Sequence, residues 1–305
     1  MKTRSDHPSR LSRIAVTGAD GFLGSWITRQ LRAKGIEVIA LGTDYFEMNS
    51  QILTPVLQNF SPTTIVHAAG PSSVNLSMAR PLADFRRSVA GVHEVLEAAR
   101  VACPQATVLF LSSAAVYGDP ETLPVAESAP TRPLSPYGFH KLASELALRE
   151  YREIYGLRSA SLRIFSAYGE GLRRQLLWDV CQKALRGNFV LQGDGSQTRD
   201  FIHACSVADA IVVLASQSGP VPPILNLASG EEVTVAQVAS WICEELGVRA
   251  NPRYDGRAPA GNPQRWRGNA ELLKSFGWSP KILAEAGIRA FARWAASDFA
   301  RQDAA

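Results

Sequence analysis

Three side chains of this chain could together serve the proton transfer that accompanies hydride transfer to a cofactor: Ser113, Tyr137 and Lys141. Tyr137 and Lys141 stand four residues apart in SPYGFHK (135–141), about one helical turn, so they share one face of a helix. A phenol can act as base or acid toward an alcohol hydroxyl when a neighbouring ammonium lowers its pKa. Ser113 ends a strand in FLSSAAVYG and can donate a hydrogen bond to the oxygen that changes charge. Because Tyr-x-x-x-Lys pairs also occur by chance in helices, this interpretation requires a cofactor site elsewhere.

The stretch TGADGFLG (17–24) predicts such a site. Gly18, Gly21 and Gly24 follow an apolar strand and open a helix, which is the context that distinguishes a dinucleotide-binding loop from an ordinary glycine-rich turn. The first glycine permits a tight turn, the second lets a pyrophosphate approach the backbone, and the third allows close helix packing. The N–H groups at the start of the helix then face the phosphates. A nicotinamide dinucleotide is therefore the expected cofactor.

The choice between NAD and NADP is weakly encoded. Dinucleotide-binding folds place an acidic residue at the end of the second strand, where it binds the adenosine ribose. That position is Gly42 here, and the nearest acid is Asp44. Asp44 favours NAD, whereas the small Gly42 leaves room for the 2′-phosphate of NADP. The sequence predicts NAD with NADP left open.

The elements that must position these residues form a repeating pattern. Short, nearly continuous apolar strands alternate with helices up to about residue 170, which predicts a parallel sheet covered on both faces, a doubly wound α/β (Rossmann) fold. We expect residues 13–170 to form the dinucleotide-binding domain, with 222–229 returning a strand to its sheet. Residues 171–305 are predicted to form mainly a smaller substrate-binding domain, and residues 1–12 a disordered leader.

Composition restricts the function classes further. The 305 residues are 46% hydrophobic and carry a formal net charge of +4 without a basic tract, so no nucleic-acid partner is expected. No signal peptide or apolar run long enough for a membrane span is present. The four isolated cysteines indicate neither a metal site nor a disulfide framework. A cytoplasmic protein with no membrane association is the prediction.

The chain resembles the extended short-chain dehydrogenase/reductase family, specifically its nucleotide-sugar epimerases, dehydratases and 4-ketoreductases. The resemblance is carried by TGADGFLG, HAAG, SSAAVYG, SPYGFHKLASE, LRIFSAYG and GDGSQTRDFIH. It implies a nucleotide-sugar substrate, with Ser166 and Arg199 near the diphosphate, and a homodimer formed by helices at about 83–100 and 137–155. The cofactor residues it implies, together with those above, are Gly18, Gly21, Phe22, Leu23, Gly24, Asp44, Ala68, Ala69, Tyr137 and Lys141.

Four positions depart from the family pattern. Sugar dehydratases carry Asp-Glu directly after the catalytic Ser or Thr, where this chain has Ala114 and Ala115. The acid and base of 4,6-dehydration are therefore missing. Ser88 and Ser166 stand where the family often has asparagine, and the second of these usually lies near the substrate diphosphate.

Two reactions remain as predictions, and both transfer a hydride at C4 of a nucleotide-activated hexose. A 4-epimerase keeps NAD bound and returns the hydride to the other face of the sugar, and it is the leading prediction. A 4-ketoreductase of a 4-keto-6-deoxy sugar would use the same three residues with exchangeable NADH or NADPH. A nucleotide-binding regulator without catalysis is the third alternative, although such proteins usually lose the tyrosine or the lysine.

Overall fold

A computed structural model describes residues 13–42, 49–187, 189–249, 251–257, 261 and 263–303. The predicted leader (1–12) and Asp44 lie outside the described residues. The strands are β1 (Arg13–Thr17), β2 (Glu37–Leu41), β3 (Thr64–His67), β4 (Thr107–Ser113), β5 (Ser159–Ile164), β6 (Ser166–Tyr168), β7 (Val190–Leu191), β8 (Thr198–Arg199), β9 (Phe201–His203), β10 (Ile224–Leu227), β11 (Val233–Thr234) and β12 (Arg253–Tyr254).

The helices are α1 (Phe22–Ala33), α2 (Ser50–Phe60), α3 (Val74–Ala79), α4 (Pro81–Phe85), α5 (Gly91–Ala102), α6 (Pro136–Tyr155), α7 (Gln175–Arg186), α8 (Ala204–Ala215), α9 (Val235–Leu246), α10 (Glu271–Lys274) and α11 (Ala284–Asp303). A π-helical turn, Arg86–Ala90, joins α4 to α5, and a 3₁₀ turn, Ala114–Val116, follows β4.

The main sheet has six parallel strands in the order β10-β5-β4-β3-β1-β2. The chain moves outward from β1 to β2 and then returns past β1 to β3, so the direction of winding reverses between β1 and β3. Ligands of open α/β sheets bind in the crevice at such a point, outside the carboxyl ends of the strands. The parallel, doubly wound fold predicted from the sequence is confirmed.

Alternating side chains of the strands serve the two faces of this sheet. Ile14 and Val16 of β1 pack with α1 and α8, whereas Ala15 faces the cluster beneath α2, α5 and α6. All three residues are completely buried. Apolar burial on both faces accounts for the nearly continuous hydrophobic strands.

A second apolar cluster joins α7, α9 and α11 beyond the sheet. Ile288, Phe291 and Ala295 of α11 lie in its interior, with at most 1% of their surface exposed. Strand β10 comes after residue 170 in the sequence, yet it pairs with β5 and so extends the main sheet. The division into a dinucleotide-binding and a substrate-binding domain stays a prediction from the sequence.

None of the helices that the structure describes has the length and apolarity needed to cross a bilayer. None of the four cysteines, all of them among the described residues, forms a disulfide bond.

Candidate active site

The glycine loop connects β1 to α1 at the point where the winding reverses. Gly18 has a positive φ of 65°, and a Cβ on it would come within 2.7 Å of the Ala69 backbone. A Cβ on Gly24 would come within 1.9 Å of the Gly18 carbonyl oxygen. These positions therefore accept only glycine, because the loop is packed against itself and against the end of β3.

The N-terminus of α1 is left available to a ligand by this arrangement. Its N-cap is Gly21, which makes no side-chain capping hydrogen bond. The N–H groups of Phe22 and Leu23, in the first turn, have no partner within the helix. Ala68 lies alongside, with its N–H donating to the Thr17 carbonyl over 3.2 Å. Bare backbone donors at the start of a helix fit the pyrophosphate of a dinucleotide.

Ser113 and Tyr137 meet at the carboxyl end of β4. Ser113 is the last residue of β4, and its Oγ accepts a hydrogen bond from the Ala115 N–H over 3.2 Å. Tyr137 lies in the first turn of α6, which begins after the N-cap Ser135 and carries Pro136 at its first position. The Ser113 side chain lies close enough to Tyr137 to lower the pKa of its phenol. The end of β4 and the first turn of α6 thus bring the side chains of Ser113 and Tyr137 together.

The charges around Tyr137 act in opposite directions. Burial is the largest influence and raises the pKa of its phenol, and the nearby Asp84 carboxylate adds to this. The hydrogen bond with Ser113 and the positive charge of Arg174 lower that pKa. The net result is a raised pKa, which differs from the sequence expectation that Lys141 would bring it toward neutrality.

Lys141 lies one turn further along α6 and is buried. Its Nζ is 5.8 Å from the centre of the Tyr137 ring and donates a hydrogen bond of 2.8 Å to the Leu111 carbonyl. Burial lowers the pKa of Lys141 to about 8, although the carboxylates of Asp84 and Glu145 raise it. The carbonyl and the two carboxylates are what keep an ammonium in this apolar position.

His67 ends β3 near this ammonium. Its Nδ1 lies 2.7 Å from the Thr17 hydroxyl, and its ring stacks on Phe110. Burial, followed by the charge of Lys141, lowers the pKa of His67 to about 3. His67 is therefore neutral at physiological pH, consistent with a packing rather than a catalytic role.

Sequence reasoning missed a partly buried carboxylate–histidine contact beside the site. Asp84, in α4, accepts a hydrogen bond of 2.6 Å from Nδ1 of His140, the neighbour of Lys141. The other carboxylate oxygen of Asp84 is buried and has no partner among the described residues. Asp84 and His140 are 56 residues apart, so no local pattern signalled their contact.

The adjacent arginines 173 and 174 have different surroundings. Arg173 forms two hydrogen bonds, of 2.7 and 2.9 Å, with the buried carboxylate of Asp298. Arg174 instead donates to the Ser72 hydroxyl over 2.8 Å, and its charge acts on Tyr137. Arg174 therefore belongs to the candidate site, whereas Arg173 binds Asp298 of α11.

The two predicted substrate residues lie at the edge of the second cluster. Ser166 begins β6, and its N–H donates to the Asp200 carbonyl over 2.9 Å. Arg199 ends β8 and donates from Nη1 to the carbonyls of Thr198 and Pro263. Burial lowers its pKa to about 10, while the charge of Asp119 raises it. Arg199 is thus a fixed, partly buried cation next to Trp266, whose ring centre is 5.6 Å away.

Comparison with known proteins agrees with this geometry. The model of the NAD dependent epimerase/dehydratase family matches residues 14–228. A putative UDP-glucose 4-epimerase of Methanocaldococcus jannaschii is 30% identical over 302 residues, which cover 92% of this chain and 97% of that protein.

Solved structures give the same result. The UDP-glucose 4-epimerase of Thermus thermophilus, in complex with NAD, superposes with a TM-score of 0.83 at 28% identity and covers 93% of this chain and 99% of its own. TunA, an NAD-dependent NDP-hexosamine 5,6-dehydratase of tunicamycin biosynthesis, reaches 0.82 at 26% identity and covers 94% and 98%. Because the family model matches well over half of the sequence, this chain belongs to the NAD dependent epimerase/dehydratase family.

Proposed function

We propose that this protein interconverts the C4 epimers of a nucleotide-activated hexose by NAD-dependent hydride transfer. The observation that carries the proposal is the proximity of Ser113, Tyr137 and Lys141 at the same edge of the sheet as the glycine loop. The 30% identity with a putative UDP-glucose 4-epimerase over nearly the whole chain supports it. NAD, when bound, supplies the hydride acceptor and donor, and its positively charged nicotinamide ring favours the phenolate form of the tyrosine.

The three side chains act on the oxygen at C4 of the sugar. Tyr137 takes the hydroxyl proton through its phenol oxygen and returns it to the same oxygen after the sugar has turned over. Ser113 donates a hydrogen bond to that oxygen as its charge changes. Lys141 holds positive charge next to the tyrosine. Because Tyr137 gives the same proton back to the sugar within each cycle, turnover needs no net proton from solvent.

The residues after Ser113 argue against 4,6-dehydration. Ala114 and Ala115 end in buried methyl groups, with 0 and 8% exposure, and cannot transfer a proton. A 5,6-dehydratase shares the fold, so this argument rests on side chains and not on architecture. A 4-ketoreductase remains the rival enzyme, and a regulator without catalysis the remote alternative.

On the substrate side, Arg199 and Ser166 are the residues we assign to the nucleotide diphosphate. An arginine fork can bond two phosphate oxygens at once, and the partial desolvation of Arg199 strengthens that attraction. The hydroxyl of Ser166, at the start of β6, can add one hydrogen bond.

The test is epimerisation of UDP-glucose by the purified protein, followed by chromatography of the nucleotide sugars. We expect Tyr137→Phe to lose about 10²- to 10⁴-fold in rate, the usual contribution of a general acid–base group. Tyr155→Phe, on the same helix with its side chain 52% exposed, is the matched control and should keep full activity. Equal rates for wild type and Tyr137→Phe would disprove the assignment.

A homodimer through α4 and α6 is also part of the proposal. Leu82 and Phe85 of α4, and Phe139 and Leu146 of α6, are exposed by 43–59%. Apolar side chains of this size, close together on neighbouring helices, fit a surface that is covered in solution. Analytical ultracentrifugation should find a dimer for the wild type and a monomer for Phe139→Glu. A monomeric wild type would refute this interface.

A further inference from the structure

The carboxylate of Asp20, in the glycine loop, lies beside the residue that directly follows β2. Gly42 stands there, where dinucleotide-binding folds carry the acid that binds the adenosine ribose. A Cβ built on Gly42 would lie 3.3 Å from both Cγ and Oδ2 of Asp20. Asp20 therefore brings its carboxylate to the place where an acidic side chain at position 42 would begin.

The backbone fixes this arrangement. The Ala19 N–H donates to the Leu41 carbonyl over 3.2 Å, which ties the glycine loop directly to the end of β2. Asp20 is the next residue, one position before the N-cap of α1, and it is exposed toward solvent. The carboxylate thus lies between the helix N-terminus and the second strand, the two places that hold the pyrophosphate and the adenosine ribose in this fold.

We infer that Asp20 determines the preference for NAD over NADP. Its two carboxylate oxygens can accept hydrogen bonds from the 2′- and 3′-hydroxyls of the ribose, whereas the 2′-phosphate of NADP would meet a like charge. No lysine or arginine occurs between Leu41 and Ala79 to compensate such a phosphate. Gly42 contributes to the same cofactor preference, because a side chain at this position would crowd the Asp20 carboxylate.

The inference rests on the dinucleotide binding of the proposed function, and it is an alternative to the sequence prediction that Asp44 favours NAD, which stays a prediction. Calorimetric titration with NAD⁺ and with NADP⁺, on protein freed of copurified cofactor, tests it without an activity assay. We expect Asp20→Ala to bind NAD⁺ about 10- to 100-fold more weakly, the usual effect of losing hydrogen bonds to a charged group. Its affinity for NADP⁺ should stay equal or rise. Asp20→Asn should also bind NADP⁺ at least as well as the wild type does.

Two further variants make the result decisive. In Asp20→Ala/Gly42→Asp the acid moves to β2, and the preference for NAD⁺ should return. Asp44→Ala should leave the ratio of the two affinities unchanged. An unchanged ratio in Asp20→Ala, or a ratio that moves only in Asp44→Ala, overturns the inference while the proposed function stands. A wild type that binds neither dinucleotide overturns both.

Discussion

Glu145 connects the stability of the fold to the charge of Lys141, so replacing it by glutamine should disturb both. Glu145 lies one turn after Lys141 on α6, and its carboxylate accepts hydrogen bonds from Nη2 of Arg163 (2.7 Å) and from the Ser112 hydroxyl (2.6 Å). Nε of Arg163 donates to the same carboxylate. The side chains of Arg163 and Glu145 are only 4 and 6% exposed. Burial therefore isolates this ion pair from solvent.

The size of the effect follows from that isolation. Glu145→Gln keeps the shape of the side chain but leaves the Arg163 guanidinium buried without a counter-charge. Breaking a buried pair in this way costs about 3–5 kcal/mol of unfolding free energy. At roughly 2 °C per kcal/mol for a chain of this size, the melting temperature should fall by roughly 6–10 °C.

The same substitution should change the pH dependence of activity. Glu145 raises the pKa of Lys141, which burial has lowered to about 8. Without Glu145 that pKa falls further, so Lys141 loses its proton at a lower pH. The alkaline limb of the rate profile should then move toward lower pH.

Differential scanning calorimetry and a pH–rate profile of the folded variant measure the two effects. The matched control is Glu153→Gln, which breaks the exposed pair of Arg149 and Glu153 (62 and 57% exposed). An exposed pair within a helix contributes about 0.5 kcal/mol or less, so the control should melt within about 1 °C of the wild type. A Glu145→Gln variant with the stability and pH profile of the wild type would refute this reasoning.

Two other substitutions probe the surroundings of Tyr137. Ser113→Ala removes the hydroxyl that lowers the pKa of Tyr137 and should reduce kcat by about 10- to 150-fold at neutral pH. A loss below threefold in steady-state kinetics would contradict this role of Ser113. Arg174→Gln removes a charge that lowers that same pKa, so the acidic limb of the rate profile should move to higher pH. Arg173→Gln, whose partner is Asp298, is its control, and equal shifts in both variants would count against the assignment.

Much of the site could be predicted because short segments encode it. The glycine loop needs glycines at Gly18 and Gly24 for steric reasons that act within a few residues or on the adjoining strand. The spacing of Tyr137 and Lys141 is a property of one helix. Since parallel strands bring their carboxyl ends to one edge, the convergence of these segments follows from the α/β pattern alone.

The contacts that sequence reasoning missed join distant parts of the chain. Asp84 meets His140 because α4 packs on α6, and Arg174 meets Ser72 across more than a hundred residues. The neighbouring positions of Asp20 and Gly42 depend on the register of β1 and β2, which pairs Thr17 with Leu41. In the protein alone, burial also outweighs the groups that lower the pKa of Tyr137, whereas the sequence expectation counted the charge of the nicotinamide ring as well.

The central claim is that the hydride removed from C4 returns to C4 of the same sugar. The direct measurement uses UDP-glucose deuterated at C4, incubated with the protein without added cofactor, followed by mass spectrometry and NMR of the products. We predict a mixture of C4 epimers that keeps the deuterium at C4. Loss of the label, or turnover that occurs only with added NADH or NADPH and a 4-keto sugar, would contradict the epimerase and favour a ketoreductase.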